Sequence, residues 1–220
     1  QIKPEVEKRI QEFALQQNIT TLRNRVNELG VAEPIVQQSG ADRVVVQLPG
    51  VQDTAKAKDI LGRTATLEVR LVDEDKMDPA SLQAAQEGQI PAGDDLMFDR
   101  EGTPYLLKKE VILTGDRIAD AQPGFDSTTS EAAVHLSLDS RGSSIFQMTT
   151  RENIGRRIAM VLVEKGSTEV VTAPVVRAEI PGGRVQISGS MTTTEAHDTA
   201  LLLRAGALAA PMEIIEERTV

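Results

Sequence analysis

A chain of 220 residues with 40% hydrophobic content is long enough for one large domain or two small ones, each with a packed core. Its net charge of −9 and 2% aromatic content (Phe13, Phe98, Tyr105, Phe125, Phe146) argue against a basic surface with stacking platforms, so nucleic acid is excluded as a partner. Having no cysteine, the chain lacks disulfides, thiol catalysis and thiolate metal sites, and no apolar run approaches the ~18 residues of a membrane span.

The spacing of Val6, Ile10, Phe13, Ile19, Leu22, Val26 and Leu29 predicts one long helix over 4–29, with Pro4 in its first turn and Gly30 as its stop. Its apolar stripe is expected to pack on a core. Strands follow at 35–38 and 43–48, separated by Ser39-Gly40-Ala41-Asp42, a hairpin signal. Asp53 can cap a short helix over 54–61 that Gly62 closes. Thr66–Val72 alternates, with Leu67, Val69 and Leu71 inward and Glu68 and Arg70 outward. Residues 73–105 hold nine carboxylates against Lys76 and Arg100 and are broken by Pro79, Pro91 and Pro104. They read as an acidic, mobile loop.

Strands are predicted at 109–113, 134–138, 157–163, 169–171, 175–180 and 184–187, and a helix at 143–151. Pro181-Gly182-Gly183 makes the turn into the last of these strands. Thr192 and Glu195 form a capping box at the start of a further helix, which runs on to Pro211 and is followed by a short strand, MEIIEERTV.

The expected fold class is α+β. A ferredoxin-like base is assembled from both chain ends, residues 1–72 and 190–220, with a strand-rich α+β head at 106–189 inserted between them. Two connections join head to base, the covalent geometry of a hinge. The hinge residues are read as Val72, Asp73 and Leu107 at the first crossing and Gly189, Ser190 and Met191 at the second.

Little in the chain points to catalysis. His135 and His197, the two histidines, are far apart in sequence and read as surface or capping residues. Asp73-Glu74-Asp75 and Asp94-Asp95 with Asp99 lack the spacing of a calcium loop. Arg23, Arg25 and Arg204 read as bridges from helix to sheet or as caps on helix-end carbonyls. The chain is therefore expected to be no enzyme and to hold no cofactor or metal.

Several segments together carry a resemblance: LRNRVNELGVAEP from Leu22, GADRVVVQLPGVQDTAKAKDILG from Gly40, VILTGDRI from Val111, TTRENIGRRIAMVL from Thr149, PGGRVQISG from Pro181, and LLLRAGAL with EERTV at the end. In this order they resemble the first periplasmic domain of the SecD family, membrane subunits of bacterial protein export. That family places a membrane helix and a further strand before this region and a membrane helix after it, so the chain reads as an excised soluble domain.

The resemblance implies a parent protein in the bacterial inner membrane with this domain in the periplasm, and SecF and the SecYEG channel as partners. It also implies a head that swings under proton-motive force while holding unfolded preprotein. Such a task needs a sequence-tolerant apolar surface rather than a catalytic residue. Ile145, Phe146 and Met148 are the residues read for that contact. A different class, a passive structural or small-molecule-binding porter domain of a resistance-type transporter, would be favoured by a large enclosed apolar pocket between base and head.

Overall fold

The computed structural model describes residues 3–164, 167–206, 208–210 and 212–218. The chain divides into two compact units, residues 1–64 with 205–220, and residues 65–204.

The first unit is organised around helix α1, Pro4–Glu28. Pro4 stands where a missing N–H costs nothing, and Glu5, Glu7 and Arg25 match the helix dipole at its two ends. Leu15, Ile19, Leu22 and Val26 are buried together with Val36 and Leu208. Only this second half of the expected stripe is core. Val6, Ile10 and Phe13 stay exposed, because the elements that cover α1 reach it from Leu15 onward. Strands β1, Ile35–Ser39, and β2, Arg43–Gln47, form an antiparallel hairpin in register from Ile35↔Gln47 to Ser39↔Arg43. Gly40 makes its turn at φ +77°, a conformation that a side chain would strain. Helix α2, Thr54–Gly62, is capped by Asp53, which accepts the Lys56 N–H at 2.9 Å.

Two polar side chains of α1 fasten the returning chain end. Asn18 accepts N–H groups from Ala209 (2.7 Å) and Ala210 (3.2 Å) and donates to the Ala210 carbonyl (2.9 Å). Arg25, fully buried, donates to the carbonyls of Ile60 (2.8 Å), Leu61 (2.9 Å) and Gly206 (3.2 Å). Burial, helped by the nearby Arg63 charge, pushes its pKa down to about 10. Residues 212–218 run without strand pairing, and the rest of the strand expected there lies outside the described residues.

The second unit holds two sheets. Its elements are β3 (Thr66–Val72), α3 (Pro79–Gln86), β4 (Asp94–Phe98), β5 (Pro104–Thr114), β6 (Ile118–Phe125), β7 (Ala132–Leu138), α4 (Ser140–Glu152), β8 (Ile158–Glu164), β9 (Ser167–Thr172), β10 (Arg184–Ser188) and α5 (Thr193–Ala205). The larger sheet has the order β4-β5-β3-β8-β9 and the smaller β10-β7-β6. The outer strands of the larger sheet meet at the Asp99↔Val170 bridge, so its two edges approach closure. Alternate residues of β3 and β8 feed two cores. Leu67, Val69, Ile158 and Met160 pack with Leu136, Ile187, Phe146 and Leu203, whereas Val72, Ala159 and Val161 pack with Leu107, Val170 and Met97.

This arrangement corrects the expected ferredoxin-like base. Strand β3 belongs to the second unit, between β5 and β8, and the described residues of the first unit hold only the two-stranded hairpin. Strand β3 is paired along both edges, with β5 and β8, and its faces line two cores through Leu67 and Val69 on one side and Val72 on the other. Arg70, expected outward, is 9% exposed and is held by Glu68 (2.7 Å) and Asp95 (2.7 Å).

The acidic stretch is likewise not a loop throughout. Asp78 caps α3 by accepting the N–H groups of Ala80 (3.1 Å) and Ser81 (3.0 Å), with Pro79 in the first turn. Lys76 bonds Asp73 and Asp94, each at 3.0 Å. Opposite charges thus answer the carboxylates that the sequence shows clustered. Strand β6 was hidden by Pro123, which a sheet tolerates on the edge strand it occupies. Of the expected strand 175–180, only a bridge at Arg157↔Val175 forms.

Candidate functional site

Helix α4 begins at Asp139, whose carboxylate accepts the Gly142 N–H at 2.7 Å. Gly142, Phe146 and Thr150, four residues apart, form its buried face. Gly142 is required there, since a Cβ would lie 2.9 Å from the Arg117 Cβ. Phe146 is 2% exposed and lies in the core with Leu136, Met160 and Val185 around a cavity of about 10 Å³. It is therefore corrected from contact residue to core residue. Ile145 is half-buried and packs on the same core, and Met148 is 52% exposed. The three residues do not share an edge, because Met148 lies two helical steps, about 200°, round from Phe146.

A segment that sequence periodicity misread completes this end of the head. The Ile180 N–H donates to Thr150 Oγ1 (2.9 Å), which itself donates to the Phe146 carbonyl (2.9 Å). Glu179 receives Arg151 (3.0 Å) and Gln147, and these bonds hold its carboxyl below the usual range. Further along, the Gly155 N–H donates to the Val176 carbonyl and the Val176 N–H to the Arg156 carbonyl, both at 2.8 Å. Two residues thus oppose one, as in a β-bulge, with Gly155 at φ +86°. These bonds bring the segments that carry exposed Ile154 (56%), Val175 (40%) and Ile180 (36%) to the C-terminal end of α4. The sequence signal that could have found them is apolar residues without strand alternation between Pro174 and Pro181.

The residues expected at the hinge lie inside the second unit. Val72 and Leu107 are buried cross-strand partners in one sheet. Asp73 donates its N–H to the Leu106 carbonyl at 2.9 Å. At the other crossing, a Cβ on Gly189 would meet the Val171 carbonyl oxygen at 2.7 Å. Arg100 holds the Ser190 carbonyl (2.6 Å) and Glu195 (3.0 Å), and Met191 packs on the core. The chain passes between units at 64/65 and 204/205 instead.

Other singled-out residues take local roles. Thr192 and Glu195 cap each other reciprocally, at 2.7 and 3.1 Å. Arg23 reaches the Val36 carbonyl (3.1 Å) and Arg204 the Ala121 carbonyl (2.6 Å), bridges from helix to strand. His135 lies on the exposed face of β7 opposite Gln122 and Gln186, and His197 stands 3.5 Å from Asp198. Among the described residues no three His, Asp or Glu side chains are grouped to hold a metal, and no helix is long and apolar enough to cross a membrane.

Comparison with known proteins decides the family. A model described as the SecDF P1 head subdomain matches residues 89–210. A second, the N-terminal part of the P1 domain of protein translocase subunit SecDF, matches residues 15–74. The chain belongs to the SecDF family. Protein translocase subunit SecD of Escherichia coli K12 is 46% identical over 95% of this chain and 35% of its own length. That of Haemophilus influenzae is 39% identical over 95% and 36%. The chain thus spans little more than a third of these SecD relatives. A solved structure of SecDF, a membrane component that enhances protein export, superposes with a TM-score of 0.72 at 36% identity, covering 95% of this chain and 94% of that one. SecDF in its super-membrane-facing form gives 0.71 at 34% identity, covering 92% and 27%. The surface at the end of α4 lies wholly within the match to the SecDF head.

Proposed function

We propose that this chain is the periplasmic P1 domain of a SecD-type subunit, and that its head contacts unfolded preprotein during export across the bacterial inner membrane. The carrying observation is the exposed aliphatic residues Ile154, Val175 and Ile180 at the C-terminal end of α4, with exposed Met148 on another side of the same helix, in a region that matches the SecDF head. A client that is an unfolded chain of any sequence requires contacts without fixed geometry, and flexible apolar side chains supply them. Strand addition is disfavoured at β6 and where β4 and β9 meet. Pro123 removes an N–H from edge strand β6, Arg204 occupies the Ala121 carbonyl, and β4 meets β9.

In this reading SecF and the SecYEG channel are engaged through the rest of the parent protein, and proton flow drives the head to swing. Rotation of the second unit as a body is then absorbed at 64/65 and 204/205, where the chain passes between units. The test is photo-crosslinking from Met148 or Ile154 to a secretory precursor. Adducts are expected with the unfolded precursor and not with its folded form. Equal labelling of both, or adducts equally strong from the exposed Lys109 on β5, would overturn the assignment.

A further inference from the structure

The segments that supply the aliphatic residues at the end of α4 also carry Arg151, Arg156, Arg157 and Arg177, in a chain whose net charge is −9. Two of them are answered internally. Arg151 pairs with Glu179 at 3.0 Å, and Arg157 stands 3.7 Å from Glu74 and donates to the Ala173 carbonyl at 2.9 Å. Arg156 and Arg177 are exposed, and neither forms an ion pair with any described residue. The bulge brings their two segments side by side: the Val176 N–H bonds the Arg156 carbonyl, and Arg177 follows Val176 in the chain. Of the carboxylates nearby, Glu74 and Glu179 are engaged by arginines, and Glu152 lies beside Arg151. Two exposed guanidinium groups without an ion-pair partner among the described residues therefore lie in the segments that carry Ile154, Val175 and Ile180.

We propose that this surface selects by charge: it takes aliphatic polypeptide segments that carry carboxylates and passes over segments rich in Lys and Arg, with Arg156 and Arg177 making the distinction. This rests on the reading that the surface takes unfolded polypeptide. Guanidinium groups are suited to the task, since they present forked donors to carboxylates while their stems add apolar cover. Two exposed pairs of this kind give roughly 2- to 30-fold discrimination at low salt. The effect shrinks as the Debye length falls toward ~3 Å at 1 M salt, whereas the aliphatic contact does not.

The experiment measures fluorescence anisotropy of two labelled unstructured peptides with the same Leu/Val centre, one flanked by Glu and one by Lys, on the 220-residue chain. The Glu-flanked peptide is expected to bind more tightly. The preference should vanish in Arg156→Gln/Arg177→Gln, with weak binding of both peptides retained and an unchanged melting temperature. Ile154→Ser should weaken both peptides alike. Equal binding of the two peptides to the unmutated chain overturns charge selection but leaves polypeptide binding standing. No binding of either overturns both. A preference that survives in the double variant, or survives 1 M salt, removes the role of these arginines. Arginine-dependent binding to phosphatidylglycerol vesicles without a peptide preference would reassign the surface to a membrane and overturn the proposal.

Discussion

Replacing Phe146 by alanine separates a core residue from a contact residue. The ring is 2% exposed and lines a cavity of only about 10 Å³, so its neighbours have little slack to exploit. Removing it leaves on the order of 100 Å³ of new void, which at about 24 cal/mol per Å³ costs about 2.4 kcal/mol. The lost transfer of the ring from water adds about 2 kcal/mol. The sum, about 4 kcal/mol, lies within the range of about 3–5 kcal/mol seen for buried Phe→Ala changes. For a chain of this size it should lower the melting temperature of the second unit by roughly 8–16 °C. Met148→Ala, on the same helix but 52% exposed, should stay within about 0.5 kcal/mol. Thermal denaturation followed by circular dichroism, with urea unfolding as the second measure, reads both variants. A Phe146→Ala protein that melts within 2–3 °C of the parent would refute the reasoning, because the ring would then not fill the junction of sheet and helix.

Arg25→Met removes a buried cation but orphans three carbonyl acceptors, and a net loss of about 3 kcal/mol in the first unit is expected. Arg25→Lys should rescue little, since a single ammonium cannot span the three carbonyls; full recovery would show that charge alone matters. At Asp73, burial raises the carboxyl pKa, but bonds and attraction from Lys76, with help from Asp94 and Lys108, outweigh it and leave the value below the ordinary 3.8. A depressed carboxyl contributes stability that is complete above its unfolded value and is lost as pH falls through the folded one. The second unit should therefore weaken below about pH 4, and Asp73→Asn should flatten that limb in acid titrations of stability. Gly189→Ala forces a Cβ to 2.7 Å from the Val171 carbonyl oxygen and should cost about 1–3 kcal/mol, with faster amide exchange in β9 and β10. Unchanged exchange there would restore Gly189–Met191 as a candidate for free bending.

What the sequence by itself determined is what short-range physics controls. Capping and periodicity placed α1, the β1–β2 hairpin and α2 behind Asp53 within a residue or two of their observed bounds, and the start of α5 behind its Thr192–Glu195 box, although α5 ends at Ala205 and not at the expected Pro211. The SecDF family was legible too, and its two models match residues 15–74 and 89–210. Tertiary structure decided which sheet a strand joins and which face of a helix is covered. The bounds of β3 are readable in Thr66–Val72, but its place between β5 and β8 depends on strands up to ~100 residues away, and no local pattern encodes a partner. The acidic stretch became α3 and β4 because Arg70 and Lys76 arrive to balance Asp73, Asp94 and Asp95, a neutralisation that composition alone cannot show. Of the three residues read for contact only Met148 stays exposed, and Ile145 packs on the core. Phe146 turned inward once two sheets enclosed it, and Ile154, Val175 and Ile180 came together through a bulge and one Thr150 hydroxyl, bonds between segments that only the folded chain brings within reach.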